Sequence, residues 1–156
     1  MFLIGIIQVT VLNYAPILGV KPDFLLISVI FFALYFGKKE AITAAILGGL
    51  FKDITSTALF GSNAFAFCLC ALFLLHFGNR FYKQDISTQM LLCGLLYYIT
   101  TFVVLVINYA KTPNIHIPSY FWIILKASFY TGCVSPLIFF ILSRVFGSVQ
   151  YQRKYI

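Results

Sequence analysis

The stretch Ala44-Ala45-Ile46-Leu47-Gly48-Gly49-Leu50-Phe51-Lys52-Asp53 ends an apolar, small-residue run with two opposite charges. An ionisable residue inside an apolar span costs several kcal/mol, so Asp53 is a candidate functional residue. Every fourth position on its helix face is small (Ala41, Ala45 and Gly49). Small residues let helices approach closely in lipid, so Asp53 is predicted to face protein at the end of a tight helix–helix contact. Lys52, one position round the helix, is predicted to extend to the outer membrane interface and not to pair with Asp53.

The composition around this stretch predicts an all-α integral membrane protein. The chain is 62% hydrophobic and 10% charged over 156 residues, whereas soluble domains carry about 25% charged residues. The net charge of +7 arises from basic residues in short loops, where they orient membrane helices, so no nucleic-acid partner is expected. The cysteines lie in apolar runs without a Cys-x-x-Cys motif and predict neither a disulfide nor a metal site: Cys68, Cys70, Cys93 and Cys133.

Six apolar segments predict one transmembrane domain over residues 1–156, a bundle of six helices. The helices are predicted at 2–18, 23–37, 40–58, 62–79, 87–110 and 119–146. The first segment lacks the basic start and the cleavage site of a secretory signal, so it is expected to remain as a helix. The second segment covers only about 22 Å, less than the apolar core of a bilayer.

The basic residues predict that both termini lie in the cytoplasm. With the N-terminus inside, seven Lys and Arg residues fall on the inner side and three on the outer side. This asymmetry is the one that the positive-inside rule favours, and it agrees with an even number of spans.

Local signals mark the helix ends and further polar positions. Pro22 and Asp23 predict the start of the second helix, since proline presets the first turn and an acid suits the positive helix end. Ser62 and Asn63, after Gly61, predict an N-cap for the fourth helix. Two polar residues of the first segment, Gln8 and Asn13, are predicted to hydrogen-bond across helices.

The sixth segment contains a second basic residue within an apolar run. Lys126 is predicted to extend towards the outer interface, with an ion pair to Asp53 as the alternative. Pro136 is predicted to kink this helix, with Gly132 and Ser135 easing the bend.

No catalytic pattern is visible in the sequence. His76 and His116 fall on opposite membrane faces in this topology. No carboxylate pair, nucleophile–base pair or phosphate-binding loop appears, so the chain is predicted not to be an enzyme and to carry no metal or cofactor.

The order of residues in the first half of the chain resembles the MreD family of rod shape-determining membrane proteins. The likeness rests on Gln8, on Gly19-x-x-Pro22-Asp23, on Gly48-Gly49-Leu50-x-x-Asp53 and on Leu59-Phe60-Gly61-x-Asn63. The second half matches in hydropathy. The resemblance implies a fold similar to the S-components of energy-coupling-factor vitamin transporters, which are six-helix membrane bundles.

The resemblance further implies a non-enzymatic scaffold subunit of the cell-wall elongation machinery in the bacterial cytoplasmic membrane. MreC is the implied partner, and through it the RodA glycosyltransferase, its penicillin-binding transpeptidase and MreB filaments. No small-molecule ligand is expected. The positions carried over as structural or partner-determining are Gln8, Pro22, Asp23, Gly49, Asp53, Gly61 and Asn63.

Two alternatives belong to other functional classes. The first is a solute-binding S-component of a modular vitamin transporter. S-components typically carry an Ala-x-x-x-Ala motif on the first helix, whereas here that spacing occurs at Ala41–Ala45 in the third segment. The second is an ion-coupled carrier that uses Asp53, although the Gly-Gly-x-x-Lys-Asp element has no counterpart in the other half of the chain, as an inverted repeat would require.

Overall fold

The computed structural model describes residues 22–56, 59–77, 85–109 and 117–153, together with Gly5, Gln8 and Thr10, with side chains in the last stretch described from 121 to 146. This part of the chain forms five helices and no strand: α1 (Phe24–Tyr35), α2 (Lys38–Thr55), α3 (Ser62–Phe77), α4 (Ile86–Tyr109) and α5 (Ile117–Arg153). The all-helical class is therefore confirmed for the described residues. Most of the first predicted segment, including Asn13, lies outside them.

The central helix of the bundle is α1. Its residues Leu25–Ile30 are all at most 1% exposed, and α2, α3, α4 and α5 all contact it. A helix that is apolar on every side is stable only when it is surrounded, which explains why Phe24-Leu-Leu-Ile-Ser-Val-Ile shows no amphipathic pattern. With 12 residues, α1 is only about 18 Å long.

In α2 the small residues face the protein and the large apolar residues face outwards. Ala41, Ala45 and Gly49 are buried, whereas Leu47 and Ile54 are 56% and 72% exposed. This distribution reverses that of a soluble helix, whose large apolar residues face the core. It is the arrangement expected where lipid surrounds the bundle and small residues allow close helix contact.

The two longest helices, α4 and α5, pack closely along their lengths. By length and composition, α4 and the stretch Phe121–Phe146 of α5 could each cross a membrane. The Ser128 hydroxyl donates a 2.6 Å hydrogen bond to the Gly94 carbonyl oxygen. A Cβ atom added to Gly132 would lie 2.8 Å from the Met90 carbonyl oxygen, so the two backbones are nearly in contact there.

The helical path of α5 continues through Pro136. Because proline has no N–H, the Gly132 carbonyl loses the hydrogen bond that it would receive from position 136. The Ser135 hydroxyl, which is fully buried, donates to that carbonyl oxygen at 2.7 Å. The acceptor freed by the proline is thereby satisfied within the same turn, as apolar surroundings require.

Candidate functional site

The carboxylate of Asp53 lies against the N-terminus of α3. Its Oδ1 accepts hydrogen bonds from the Asn63 N–H at 3.0 Å and from Asn63 Nδ2 at 2.9 Å. Its Oδ2 accepts from the N–H groups of Gly61 at 2.9 Å and Ala64 at 3.2 Å. The residue is 4% exposed. A negative charge at this position satisfies free amides of the first turn and interacts favourably with the positive end of the helix dipole.

The cap of α3 therefore comes from another helix. The Ser62 hydroxyl donates at 2.7 Å to the Leu59 carbonyl, and the Asn63 side chain donates to Asp53. The prediction that Ser62 or Asn63 caps this helix is wrong, because the Asp53 carboxylate already accepts from the first-turn amides. Gly61 adopts a φ of +93°, a conformation that glycine tolerates well, and its amide is thereby directed at Asp53.

Gly49 allows α2 to approach α3 closely enough for this contact. A Cβ atom at Gly49 would lie 2.2 Å from the Ala64 Cα atom and 2.7 Å from the Ala64 nitrogen, which are both backbone atoms. At Gly48, the nearest atom to an added Cβ is Val29 Cγ2 at 3.5 Å, an ordinary contact distance. Of these two adjacent glycines, only Gly49 therefore determines how closely α2 can approach α3.

The second buried carboxylate, Asp23, caps α1 and forms an ion pair with Lys52. Asp23 Oδ1 accepts from the Leu26 N–H at 3.2 Å, and its Oδ2 accepts from Lys52 Nζ. The ammonium group also lies 5.1 Å from the ring centroid of Phe67 and 6.0 Å from that of Tyr97. Lys52 thus has a buried anion and two aromatic rings as neighbours.

The prediction that Lys52 extends to the outer interface is wrong. Its side chain turns towards Asp23, which is 3% exposed and would otherwise be a buried charge without a counter-ion. Lys52 and Asp53 do not pair with each other in the structure, since each finds a different partner.

Gln8 and Pro22 lie at the same helix start as Asp23. The Leu25 N–H donates to Gln8 Oε1 at 3.0 Å, so Gln8 and Asp23 together satisfy two amides of the first turn of α1. Pro22 is fully buried just before this turn, where its missing N–H leaves no donor to satisfy.

One residue of this region was missed by sequence reasoning. Asn108 Oδ1 accepts from the Leu59 N–H at 3.1 Å, and Asn108 Nδ2 donates to the Val104 carbonyl at 2.8 Å. It fixes the turn before α3 to the end of α4. The available signal was an amide side chain inside the apolar run Val103–Tyr109, where polar residues usually hydrogen-bond across helices.

Lys126 lies apart from these contacts. It is exposed on α5, beside a groove between α4 and α5, and it makes no ion pair or hydrogen bond with any residue that the structure describes. The structure therefore does not bring Lys126 to Asp53, and that alternative is wrong. The structure brings other predicted site residues together in two contacts. One contains Asp53, Gly61 and Asn63. The other contains Gln8, Asp23 and Lys52.

Both contacts join neighbouring helices through hydrogen bonds and, for Asp23, an ion pair. All four carboxylate oxygens of Asp23 and Asp53 accept hydrogen bonds from the protein. In the described part of the chain, no group of three or more His, Cys, Asp or Glu residues could hold a metal ion. The buried charges hold helices in register, α1 to α2 and α2 to α3.

In the described part of the chain, the fold and these contacts define a helical protein with two helices long and apolar enough to cross a membrane, and its buried charges join its helices. A family model described as rod shape-determining protein MreD matches residues 1–146. The chain belongs to the MreD family, a shape-determining family that is not known as an enzyme family. Comparisons with curated proteins and with solved structures found no match.

Proposed function

We propose that this protein is a non-enzymatic scaffold subunit of the complex that elongates the bacterial cell wall, and that it binds MreC. MreC connects it in turn to RodA, to the penicillin-binding transpeptidase of RodA and to MreB. The observation that carries the proposal is the family match over residues 1–146, which supports a role in determining rod shape.

The geometry of the buried charges supports a scaffold. A carrier that uses Asp53 needs a carboxylate that can exchange protein contacts for an ion, yet Asp53 accepts four hydrogen bonds from one neighbouring helix end. Releasing it would leave buried donors unsatisfied, at about 1–3 kcal/mol each. Asp53 is thus suited to a permanent contact between α2 and α3.

The proposed architecture is a six-helix bundle similar to the S-components, with both termini in the cytoplasm. Its first helix contains Gln8, and α1 to α5 supply the other five. Lys52 lies 14 residues after Lys38, which places the Asp23–Lys52 pair about 21 Å from that end of α2. In a bilayer with an apolar core of about 30 Å, this pair lies within the core, where it is stable because its charges are compensated.

Depletion of the protein in a rod-shaped host tests the proposal. We expect depleted cells to become round, and a tagged protein at native levels to recover MreC when the membrane is dissolved in mild detergent. Recovery of a stoichiometric vitamin without MreC, from cells that keep their shape on depletion, would contradict the scaffold and favour the S-component alternative.

A further inference from the structure

We propose that the groove between α4 and α5 around Lys126 binds one membrane-spanning helix of a partner protein, and that this helix carries an Asp or Glu at the depth of Lys126. The inference rests on the proposed scaffold function and assigns the surface through which the scaffold binds its partner.

The groove is an open apolar surface with one charge. It has a volume of about 1030 Å³, and its walls come from both helices. Leu91 on α4 and Phe129 on α5 are 70% and 76% exposed. The Gly94 and Gly132 contacts bring α4 and α5 together at its floor. A third helix can therefore lie along the seam and contact both walls, as helices do in membrane bundles.

Lys126 lies near the middle of this seam. The contacts of Ser128 with Gly94 and of Gly132 with Met90 set the register of the antiparallel pair. By this register Lys126 is level with Leu96, which is about 15 Å from Ile86 and about 20 Å from Tyr109. The nearest helix end is the start of α5 at Ile117, about 14 Å from Lys126 along the helix, and an isolated ammonium at such depth costs several kcal/mol.

The chain offers no carboxylate to neutralise this charge. It contains four acidic residues. Asp23 pairs with Lys52, and Asp53 binds the N-terminus of α3. Glu40 lies in the first turn of α2. Asp85 precedes α4 and is about 17 Å from Leu96 along that helix.

This inventory excludes a second copy of the chain as the favoured occupant. In a parallel dimer every residue keeps its depth, so Lys126 of one copy would face an apolar wall or the same lysine. A different protein that contributes a carboxylate to the apolar groove fits both the shape and the charge. In a medium of low dielectric constant such an ion pair is strong and selects its partner.

Three substitutions at Lys126 test the inference in the protein co-expressed with MreC. Lys126→Arg keeps the charge, Lys126→Met keeps the unbranched stem without the charge, and Lys126→Glu reverses the charge. We expect Arg to retain MreC, and Met and Glu to lower its recovery at least about tenfold, since truncating one partner of a buried charge pair has effects of that size. Size-exclusion profiles and helical circular dichroism of the purified variants check that each has folded.

Photo-crosslinking locates the surface independently. Benzoylphenylalanine replaces Phe129 in the groove or, as the matched control, Leu72 on α3, which is 52% exposed. Phe129 is about 18 Å from the start of α5, and Leu72 is about 15 Å from the start of α3. We expect position 129 to crosslink to the spanning helix of MreC and position 72 to crosslink to lipid only.

The outcomes separate the two proposals. If the unsubstituted protein recovers no MreC, the proposed function fails, and the docking surface fails with it. If MreC is recovered but Lys126→Met binds it equally well, or position 129 crosslinks only to lipid or to a second copy of the chain, the docking surface is wrong while the scaffold stands.

Discussion

At the scale of single residues, each buried charge is stabilised by partners that are distant in sequence. Asp53 is neighbour to Lys52 in the chain, yet its hydrogen-bond donors lie 8 to 11 residues further on. Lys52 finds its anion 29 residues earlier. Helix packing brings both sets of partners close. The adjacent residues Lys52 and Asp53 therefore take part in two different contacts, and together they join α1, α2 and α3.

The loss of stability on substituting Asp53 should depend on how many hydrogen-bond acceptors the new side chain retains. Asp53→Asn keeps one oxygen, which can accept from two of the four donors, whereas Asp53→Leu keeps none. We expect Asp53→Leu to lower the thermal stability in detergent clearly more than Asp53→Asn does, because each lost hydrogen bond costs about 1 kcal/mol. Asp85→Asn, at an exposed acid, is the matched control and should be neutral. Equal losses for Asn and Leu would instead indicate that the charge itself is required.

The Asp23–Lys52 pair should show coupling in a double-mutant cycle. Asp23→Asn keeps an acceptor for the Leu26 amide, and Lys52→Met keeps the stem that packs near Phe67. Each single change leaves a buried charge without its counter-ion, so we expect the double variant to be more stable than the sum of the singles predicts, by about 1–3 kcal/mol. Unfolding in detergent measures the cycle, and additive losses would show that the pair contributes no coupling.

At the scale of helices, small residues determine which backbones touch. Gly49 meets the backbone of Ala64, and Gly132 meets the carbonyl of Met90. Neither neighbour can move away as a flexible side chain would, because each is part of a helix. The two contacts set the spacing of α2 from α3 and of α4 from α5, which are the most extensive helix contacts of the described bundle.

Adjacent glycines in α2 provide a matched comparison. Gly49→Ala introduces a methyl group 2.2 Å from Ala64 Cα, so the helices must separate and the Asp53 contacts must lengthen. Gly48→Ala introduces the same group at ordinary contact distance and also raises helix propensity by about 1 kcal/mol. We expect Gly49→Ala to lower the melting temperature and Gly48→Ala to leave it unchanged or raise it. The reverse order would contradict the packing described above.

The hydrogen bond from the Ser135 hydroxyl to the Gly132 carbonyl, beside Pro136, leads to a separate prediction. Ser135→Ala removes the hydroxyl that satisfies the Gly132 carbonyl, at a cost of about 1 kcal/mol. Pro136→Ala restores the backbone N–H that can bind the same carbonyl, so Ser135→Ala should cost less in that background. Thermal melting of the four proteins tests this coupling, and an equal cost in both backgrounds would show that the hydroxyl has no such role.

At the scale of the whole molecule, the bundle separates residues that hold it together from residues that face outwards. The Asp23 and Asp53 contacts are buried between helices, whereas Lys126 lies on the surface in the α4–α5 groove. A scaffold needs both kinds of residue, because a stable bundle positions the surface that its partner recognises.

Complementation of depleted cells should distinguish the two kinds of residue. We expect Gly49→Ala to lose rod shape together with the amount of folded protein in the membrane. Lys126→Met should lose rod shape while the amount of folded protein stays normal, because only docking is affected. Cell shape and membrane protein level, measured in the same cells, give the comparison. Normal shape with Lys126→Met at native expression would argue against the docking surface.

Periodicity and composition were sufficient for the all-helical class, and residue order was sufficient for the MreD family. These properties depend on local sequence, since hydrophobicity, small-residue spacing and motif order are read along the chain. The small face of α2 is one such property, because a four-residue spacing places Ala41, Ala45 and Gly49 on one side of any helix.

Only the tertiary structure decided which partner each polar group takes. The sequence predicts that Lys52 extends to the membrane interface and that Ser62 or Asn63 caps α3. Both predictions are wrong, because a hydrogen bond forms with whichever group packing brings within about 3 Å. Sequence places Lys52 beside Asp53, but helix geometry turns them to different neighbours. The adjacent residues Lys52 and Asp53 therefore form a junction of three helices, and that property exists only in the folded bundle.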